Sequence, residues 1–179
     1  LRVDKSVNLK TRTITVNVVL NETRLSNLAQ SQPGTTVTIS VNETADQYNI
    51  PINGDLIQAM AHGQLVLDIQ TRMGNYTLPV AAMNLEQLAA QLGSDAQLTG
   101  VQFQVSISQS DTATMAALQA AAARGGYNIV VPPVDFTITA TYNGKTVVVG
   151  QFNTYIQREI PIPPGVDPSS ITTAVVMDE

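Results

Sequence analysis

Apolar residues occupy every second position at Ile14, Val16, Val18 and Leu20, and again at Val37, Ile39 and Val41. A β-strand turns successive side chains to opposite faces, so a period of two predicts strands with one face buried. The alternation recurs at Leu65, Leu67 and Ile69, at Val101, Phe103, Val105 and Ile107, from Phe136 to Tyr142 and from Thr146 to Val149. Asn143-Gly144 separates the last two runs. Both residue types accept the positive φ that a two-residue hairpin turn demands, so the pair predicts an antiparallel hairpin.

Between these runs the punctuation is helical. Asn21 is placed to cap a short helix carrying Leu25 and Leu28, closed by Pro33-Gly34. A second short helix is expected from about Asp55 to Ala61. Asn84 and Gln87 have the spacing of a capping box ahead of Leu85, Leu88 and Leu92, with a stop at Gly93. The longest helix, Asp111 to Arg124, is alanine-rich and terminates at Gly125-Gly126. Its apolar stripe, Met115 and Leu118, is thin, which predicts a surface helix packed across a sheet. Arg2 to Lys10 reads as a polar leader.

Residues 37–61 superpose on 65–89. Tyr48 falls on Tyr76, Ile50-Pro51-Ile52 on Leu78-Pro79-Val80, and Ile57, Met60 and Ala61 on Leu85, Leu88 and Ala89. The match describes a strand, strand, short-helix unit used twice. Proline lacks the N–H that a ladder needs, so Pro51 and Pro79 are expected on edge strands or at bulges. Together these patterns predict an α+β, β-rich fold with mainly antiparallel sheets, a few short helices and one longer alanine-rich helix packed outside. The chain divides into an N-terminal β-rich part, 1–63, and a β/α part, 64–179, which can be continuous.

With 44% hydrophobic residues in 179, the chain can bury a real core. Charged residues make up only 13%, replaced on the surface by Thr, Ser, Asn and Gln. The net charge is −5, and the nine basic residues are scattered from Arg2 to Arg158. Nucleic acid and anionic lipid are therefore disfavoured as partners, because phosphate binding requires clustered Lys and Arg. There is no cysteine, which excludes disulfides, thiolate metal ligands and thiol nucleophiles. No apolar run approaches the roughly 20 residues of a membrane span, so no membrane insertion is expected. Leu1 opens no signal pattern, and any export signal or wall anchor is expected outside these residues.

Catalytic residue types do not converge in the sequence. His62 is the single histidine and sits at a helix end before Gly63, where it favours the dipole; a triad or a zinc site would have to be built around it alone. The acids Asp46, Asp55, Asp68, Asp95, Asp111, Asp135, Glu159 and Asp167 are dispersed, and none forms a calcium loop. Asp55 and Asp111 read as helix-start residues and Asp167, before Pro168, as a turn residue. A glycosidase would need two carboxylates across a cleft, together with aromatics to stack on sugar, and there is no tryptophan. Asn21, Asn42 and Asn75 head N-x-T triplets, as chance allows in a chain rich in Asn and Thr. An intramolecular Lys-Asn isopeptide staple would need a buried lysine, with only Lys5, Lys10 and Lys145 available.

The stretch from Val131 to Val176, VPPVDFTITATYNGKTVVVGQFNTYIQREIPIPPGVDPSSITTAVV, joins strand alternation, the Asn-Gly turn and a fixed proline pattern. It resembles the domain that precedes the surface-layer-homology repeats in cell-wall-bound proteins of Gram-positive bacteria. The preceding NYTLPVAAMNLEQLAAQLG and VQFQVSISQSDTATMAALQAAAARGGYNIV follow the same order of motifs, so the resemblance covers about Gln64 to Val176. The repeats that bind wall polymer are not in this chain. The resemblance implies an extracellular, cell-surface location and a non-enzymatic structural role, with no catalytic residues or cofactor to carry over. The partners it implies are copies of the same chain in a surface layer or filament, with cell-wall polymer engaged through regions outside these residues.

Three readings of function follow. The first is a self-assembling structural domain, with Ile14, Val16, Val18 and Leu20 on an N-terminal strand that completes a neighbour's sheet. The second is a module binding envelope polysaccharide or another ligand, for which Tyr48, Tyr76, Tyr127, Tyr142 and Tyr155 are the tyrosine candidates. The third is a wall-glycan hydrolase, which requires an acidic cleft.

Overall fold

The alternating runs fold as strands, and their register sorts the chain into two sheets. The structure is a computed structural model that describes residues 1–93 and 96–175, so Asp95 and Val176 lie outside the described residues. In chain order the strands are β1 (Arg2–Asn8), β2 (Thr13–Val19), β3 (Thr36–Val41), β4 (Gln47–Asn53), β5 (Val66–Thr71), β6 (Asn75–Pro79), β7 (Gln102–Gln109), β8 (Val134–Tyr142), β9 (Lys145–Val148) and β10 (Gln157–Glu159). The helices are α1 (Glu22–Ser31), α2 (Gly54–His62), α3 (Leu85–Leu92) and α4 (Thr112–Gly125). One sheet has six strands in the order β1-β2-β4-β7-β8-β9, and the other has four in the order β10-β6-β5-β3. Neighbours are antiparallel except for the parallel pairs β2–β4 and β3–β5, so the fold is α+β with mainly antiparallel sheets.

The alternation decides what is buried. Val16, Val18, Tyr48, Ile50, Ile52, Phe103, Val105, Ile107, Ile138 and Ala140 turn inward from the six-stranded sheet, and Ile39, Val41, Leu67, Ile69, Tyr76 and Leu78 from the four-stranded one. They form one buried cluster together with Leu56, Ile57 and Met60 of α2. Each sheet takes strands from both 1–63 and 64–179. The segment Arg2 to Lys10 is not a leader. Most of it is β1, paired with β2 from Arg2↔Val19 to Asn8↔Thr13, and its charges are tolerated because an edge strand is exposed on one side.

The two repeated units share their burial pattern but not their placement. Tyr48 and Tyr76 are both fully buried, as are Ile50 and Leu78. Yet β3 and β4 belong to different sheets, whereas β5 and β6 are hydrogen-bonded neighbours. Pro51 lies in an interior strand, which corrects the edge-strand expectation. The β2–β4 pairing runs only from Thr15↔Gln47 to Asn17↔Asn49, so Pro51 sits past its end, where a missing N–H breaks no ladder. Pro79 likewise lies beyond the β6–β10 pairing, which stops at Thr77.

The caps form as the sequence predicts, with one difference. Asn21, Asn84 and Asp111 accept the backbone N–H of Arg24, Gln87 and Thr114 at 2.9, 3.1 and 2.7 Å. The Gln87 side chain meets the Asn84 side-chain amide (3.2 Å) rather than its backbone N–H, so the Asn84 box is not reciprocal. The hairpin turn has φ of 48° at Asn143 and 80° at Gly144, and Tyr142 pairs with Lys145. α2 begins at Gly54 because its backbone passes close to the 98–101 turn: a Cβ there would lie 1.7 Å from the Leu98 carbonyl oxygen. α4 is less embedded than its stripe implies. Met115 and Leu118 stay half-buried, and Ala122 is its one buried residue.

Candidate interaction surfaces

The polar half of the alternation builds a broad outer face on the six-stranded sheet. Register places Asp4, Asn17, Asn49, Ser106 and Thr137 in one row across five strands, and Ser6, Thr15, Gln47, Ser108 and Asp135 in the next. Carboxylates stand only at the row ends; between them the side chains are amides and hydroxyls. Asn49 is the hub. Its Oδ1 accepts from Gln47 Nε2 (3.0 Å), Ser106 Oγ (3.0 Å) and Gln104 Nε2 (3.4 Å), while its Nδ2 donates to Asn17 Oδ1 (3.4 Å). These half-buried groups hold one another in place, leaving a patterned surface that is uncharged between the row ends.

The four sheet edges differ in chemistry. β1 carries Arg2, Asp4 and Lys5, with Arg2 and Asp4 paired at 2.8 Å. β10 is three residues long and includes Arg158 and Glu159. β9 is covered in part by α3, and Lys145 Nζ donates to the Gln91 carbonyl at 2.5 Å. β3 reads TVTISV, with no charge, proline or glycine.

A cleft of about 850 Å³ lies where the β5–β6 turn meets the segments before β8 and after β10. Its walls include Pro132, Pro133, Pro161, Pro163 and Pro164, with Arg72 and Glu159 among its lining residues. Among the described residues Glu159 is its single carboxylate, and its oxygens accept from Asn75 Nδ2 (3.1 Å) and Gln157 Nε2 (2.6 Å). The Arg72 guanidinium donates to the Asn42 carbonyl (2.5 Å). The described residues therefore line the cleft with one carboxylate, where glycoside hydrolysis uses two that face each other. Beside it, the Arg158 guanidinium lies 5.6 Å from the Tyr76 ring centre and 5.9 Å from that of Phe136, and the two rings are 5.4 Å apart. This stack ties β10 across the two sheets.

The residues singled out in the sequence are dispersed. Ile14, Val16, Val18 and Leu20 lie along and just after β2, an interior strand hydrogen-bonded to β1 and β4; Val16 and Val18 are fully buried, and Ile14 and Leu20 half-buried. The Ile14 N–H donates to Asp46 Oδ2 (2.7 Å) and its carbonyl accepts the Asp46 N–H (2.9 Å). Of the five tyrosines, Tyr48 and Tyr76 are core residues and drop out of any stacking platform. Burial pushes both phenols above their ordinary range; Tyr48 Oη donates to the Glu43 carbonyl (2.7 Å), and Arg158 partly offsets the effect at Tyr76. Tyr155 is fully exposed and Tyr127 about half so. His62 is exposed on the last turn of α2. Lys145 is exposed, and no polar or charged residue is buried among the described residues, so the buried lysine of an isopeptide staple is not present there. Asn21 caps α1 and Asn75 holds Glu159, while Asn42 stands exposed after β3.

Asp111 and Asp167 both act in local capping. Backbone N–H groups of Thr114 and Ser169 hold their carboxyls below the usual range. Among the described residues no three His, Asp or Glu side chains gather as a metal site. No described helix is long and apolar enough to cross a membrane. The polar hub around Asn49 was missed by sequence reasoning that followed the apolar positions. The intervening Asn17, Gln47, Asn49, Gln104 and Ser106 carried its signal. Comparisons with protein-family models, with curated proteins and with solved structures return no match.

Proposed function

We propose that this chain is a non-enzymatic structural domain on the outside of a bacterial cell, working by packing against copies of itself in a surface layer or filament. The observation that carries this reading is the outer face of the six-stranded sheet, where Asn49 organises rows of amides and hydroxyls with carboxylates only at their ends. Neutral polar groups fixed in a regular array can meet a second protein surface with no buried charge to desolvate. The resemblance of Gln64 to Val176 to the domain preceding surface-layer-homology repeats supports the location and the role. The N-terminal strand is one route to assembly. Since β2 lies between β1 and β4, an exchange would carry the β1–β2 hairpin as a unit.

The experiment is light scattering on the purified chain over a rising concentration series, with electron microscopy of the same samples. Ordered assemblies or discrete oligomers are expected. A monomer persisting to millimolar concentration would overturn the reading. A second reading, a module for neutral envelope glycan, is favoured by the same amide and hydroxyl face, whose groups match sugar hydroxyls. Retention of the monomer on purified wall glycan, lost in Asn49→Ala, would select it.

A further inference from the structure

We infer that β3 is the edge through which two copies of this chain join, each adding its four-stranded sheet to the other's. The inference rests on the self-association reading and names the surface that performs it.

An unpaired strand edge presents backbone N–H and C=O groups in a row, and proteins usually blunt such an edge with charge, proline, shortness or a covering element. Three of the four edges here are blunted in those ways. β1 has Arg2, Asp4 and Lys5; β10 is three residues with Arg158 and Glu159; β9 is flanked by α3. Among the described residues, β3 has none of these protections. Its six residues are all Thr, Ser, Val or Ile, types that favour extended backbone.

One side of β3 is fully engaged, paired with β5 from Thr36↔Val66 to Val41↔Thr71. Its hydroxyls also turn to that side, Thr38 Oγ1 donating to Asp68 Oδ2 (3.5 Å) and Ser40 Oγ to Gln70 Oε1 (3.2 Å). On the other side, its backbone makes no hydrogen bond to any described residue. Alternate residues of a strand direct their backbone groups to alternate edges, so half of the donors and acceptors of β3 face outward.

The sequence of β3 is complementary to itself. Two copies related by a two-fold axis through Ile39 pair antiparallel, with Ile39 opposite Ile39, Val37 opposite Val41, and Thr38 opposite Ser40. Val37, Ile39 and Val41 lie on the core side, and Thr36, Thr38 and Ser40 on the exposed side. Apolar residues therefore meet apolar residues on one face and hydroxyls meet hydroxyls on the other, so both sheets keep their inward and outward sides. No charges are brought together, although each copy carries a net charge of −5. Such a contact is isologous and closes on itself as a pair, so a layer or filament must add a second, different contact.

The test uses the exposed positions, which leave the core untouched. Thr38→Lys with Ser40→Lys places like charges opposite each other twice across the two-fold, and Thr38→Lys with Ser40→Glu places opposite charges there. Sedimentation equilibrium should show the wild-type pair weakened roughly tenfold or more in the double-lysine variant, and restored in the lysine–glutamate variant. Far-ultraviolet circular dichroism should be unchanged in both, as should the melting temperature when it is measured at a concentration where the wild type is monomeric. If the double-lysine variant pairs as tightly as the wild type, β3 is not the contact, and association through another surface stands. If both variants weaken equally, the register through Ile39 is wrong and the inference falls with it. A wild-type chain that is monomeric throughout overturns both this inference and the self-association reading.

Discussion

Replacing Leu67 by alanine tests whether the face assignment of the four-stranded sheet is physically meaningful. Leu67 is fully buried in β5, with Val37 of β3 and Leu78 of β6 beside it in register. The substitution removes the apolar end of the side chain, a transfer loss of about 2–3 kcal/mol. Strands on both sides restrain the backbone, so the space left closes only in part and adds up to about 2 kcal/mol. The expected total is about 2–5 kcal/mol, which for a chain of this length lowers the melting temperature by roughly 10 °C. Urea denaturation followed by circular dichroism measures it, with the slope against urea unchanged. Val148→Ala, on edge strand β9 at 54% exposure, is the control and should shift stability by no more than about 0.5 kcal/mol. A Leu67→Ala loss below about 1 kcal/mol, or one equal to the control, would refute the reasoning.

Gly54→Ala should destabilise by about 3 kcal/mol or more, because the new Cβ would meet the Leu98 carbonyl at 1.7 Å and force α2 away from the turn; thermal unfolding checks this. Asn49→Ala should lose about 1–2 kcal/mol in urea, since it strips several half-buried partners of their shared acceptor at once. Burial raises the folded pKa of Tyr48 and Tyr76 above the unfolded value, so their contribution to stability is complete below the ordinary phenol range and is lost as pH rises through the folded values. An alkaline titration at 295 nm should therefore show these two phenols ionising together with loss of the β-sheet signal. Ionisation of all five with the fold intact would contradict the burial.

Much of the fold was legible because it depends on local chemistry. The alternation at Val16, Ile39, Leu67, Val105 and Ile138 identified residues that are all buried, and Asn143-Gly144 specified a hairpin that forms. The partners of the strands were not legible, because period two says which side is buried but not which neighbour lies alongside. The repeat shows this well: sequence superposition sets Val37 on Leu65, while the sheet sets Val37 beside Leu67. β1 was missed because its polar residues on an edge resemble those of a loop. The interaction surfaces were the least legible part, since an amide network such as that around Asn49 exists only once register has brought three strands together.

The connection between β7 and β8 has a consequence of its own. These strands are antiparallel neighbours within the six-stranded sheet, yet residues 110–133 and α4 intervene where a tight turn could serve. Closing a connection of about two dozen residues rather than two disfavours pairing by only about 2 kcal/mol, because closure entropy grows with the logarithm of length. The paired strands hold their register through buried residues on either side of the excursion. That makes the α4 excursion a tolerant place in the chain to graft a peptide or a reporter domain, displayed at the surface while the sheets beneath keep their register.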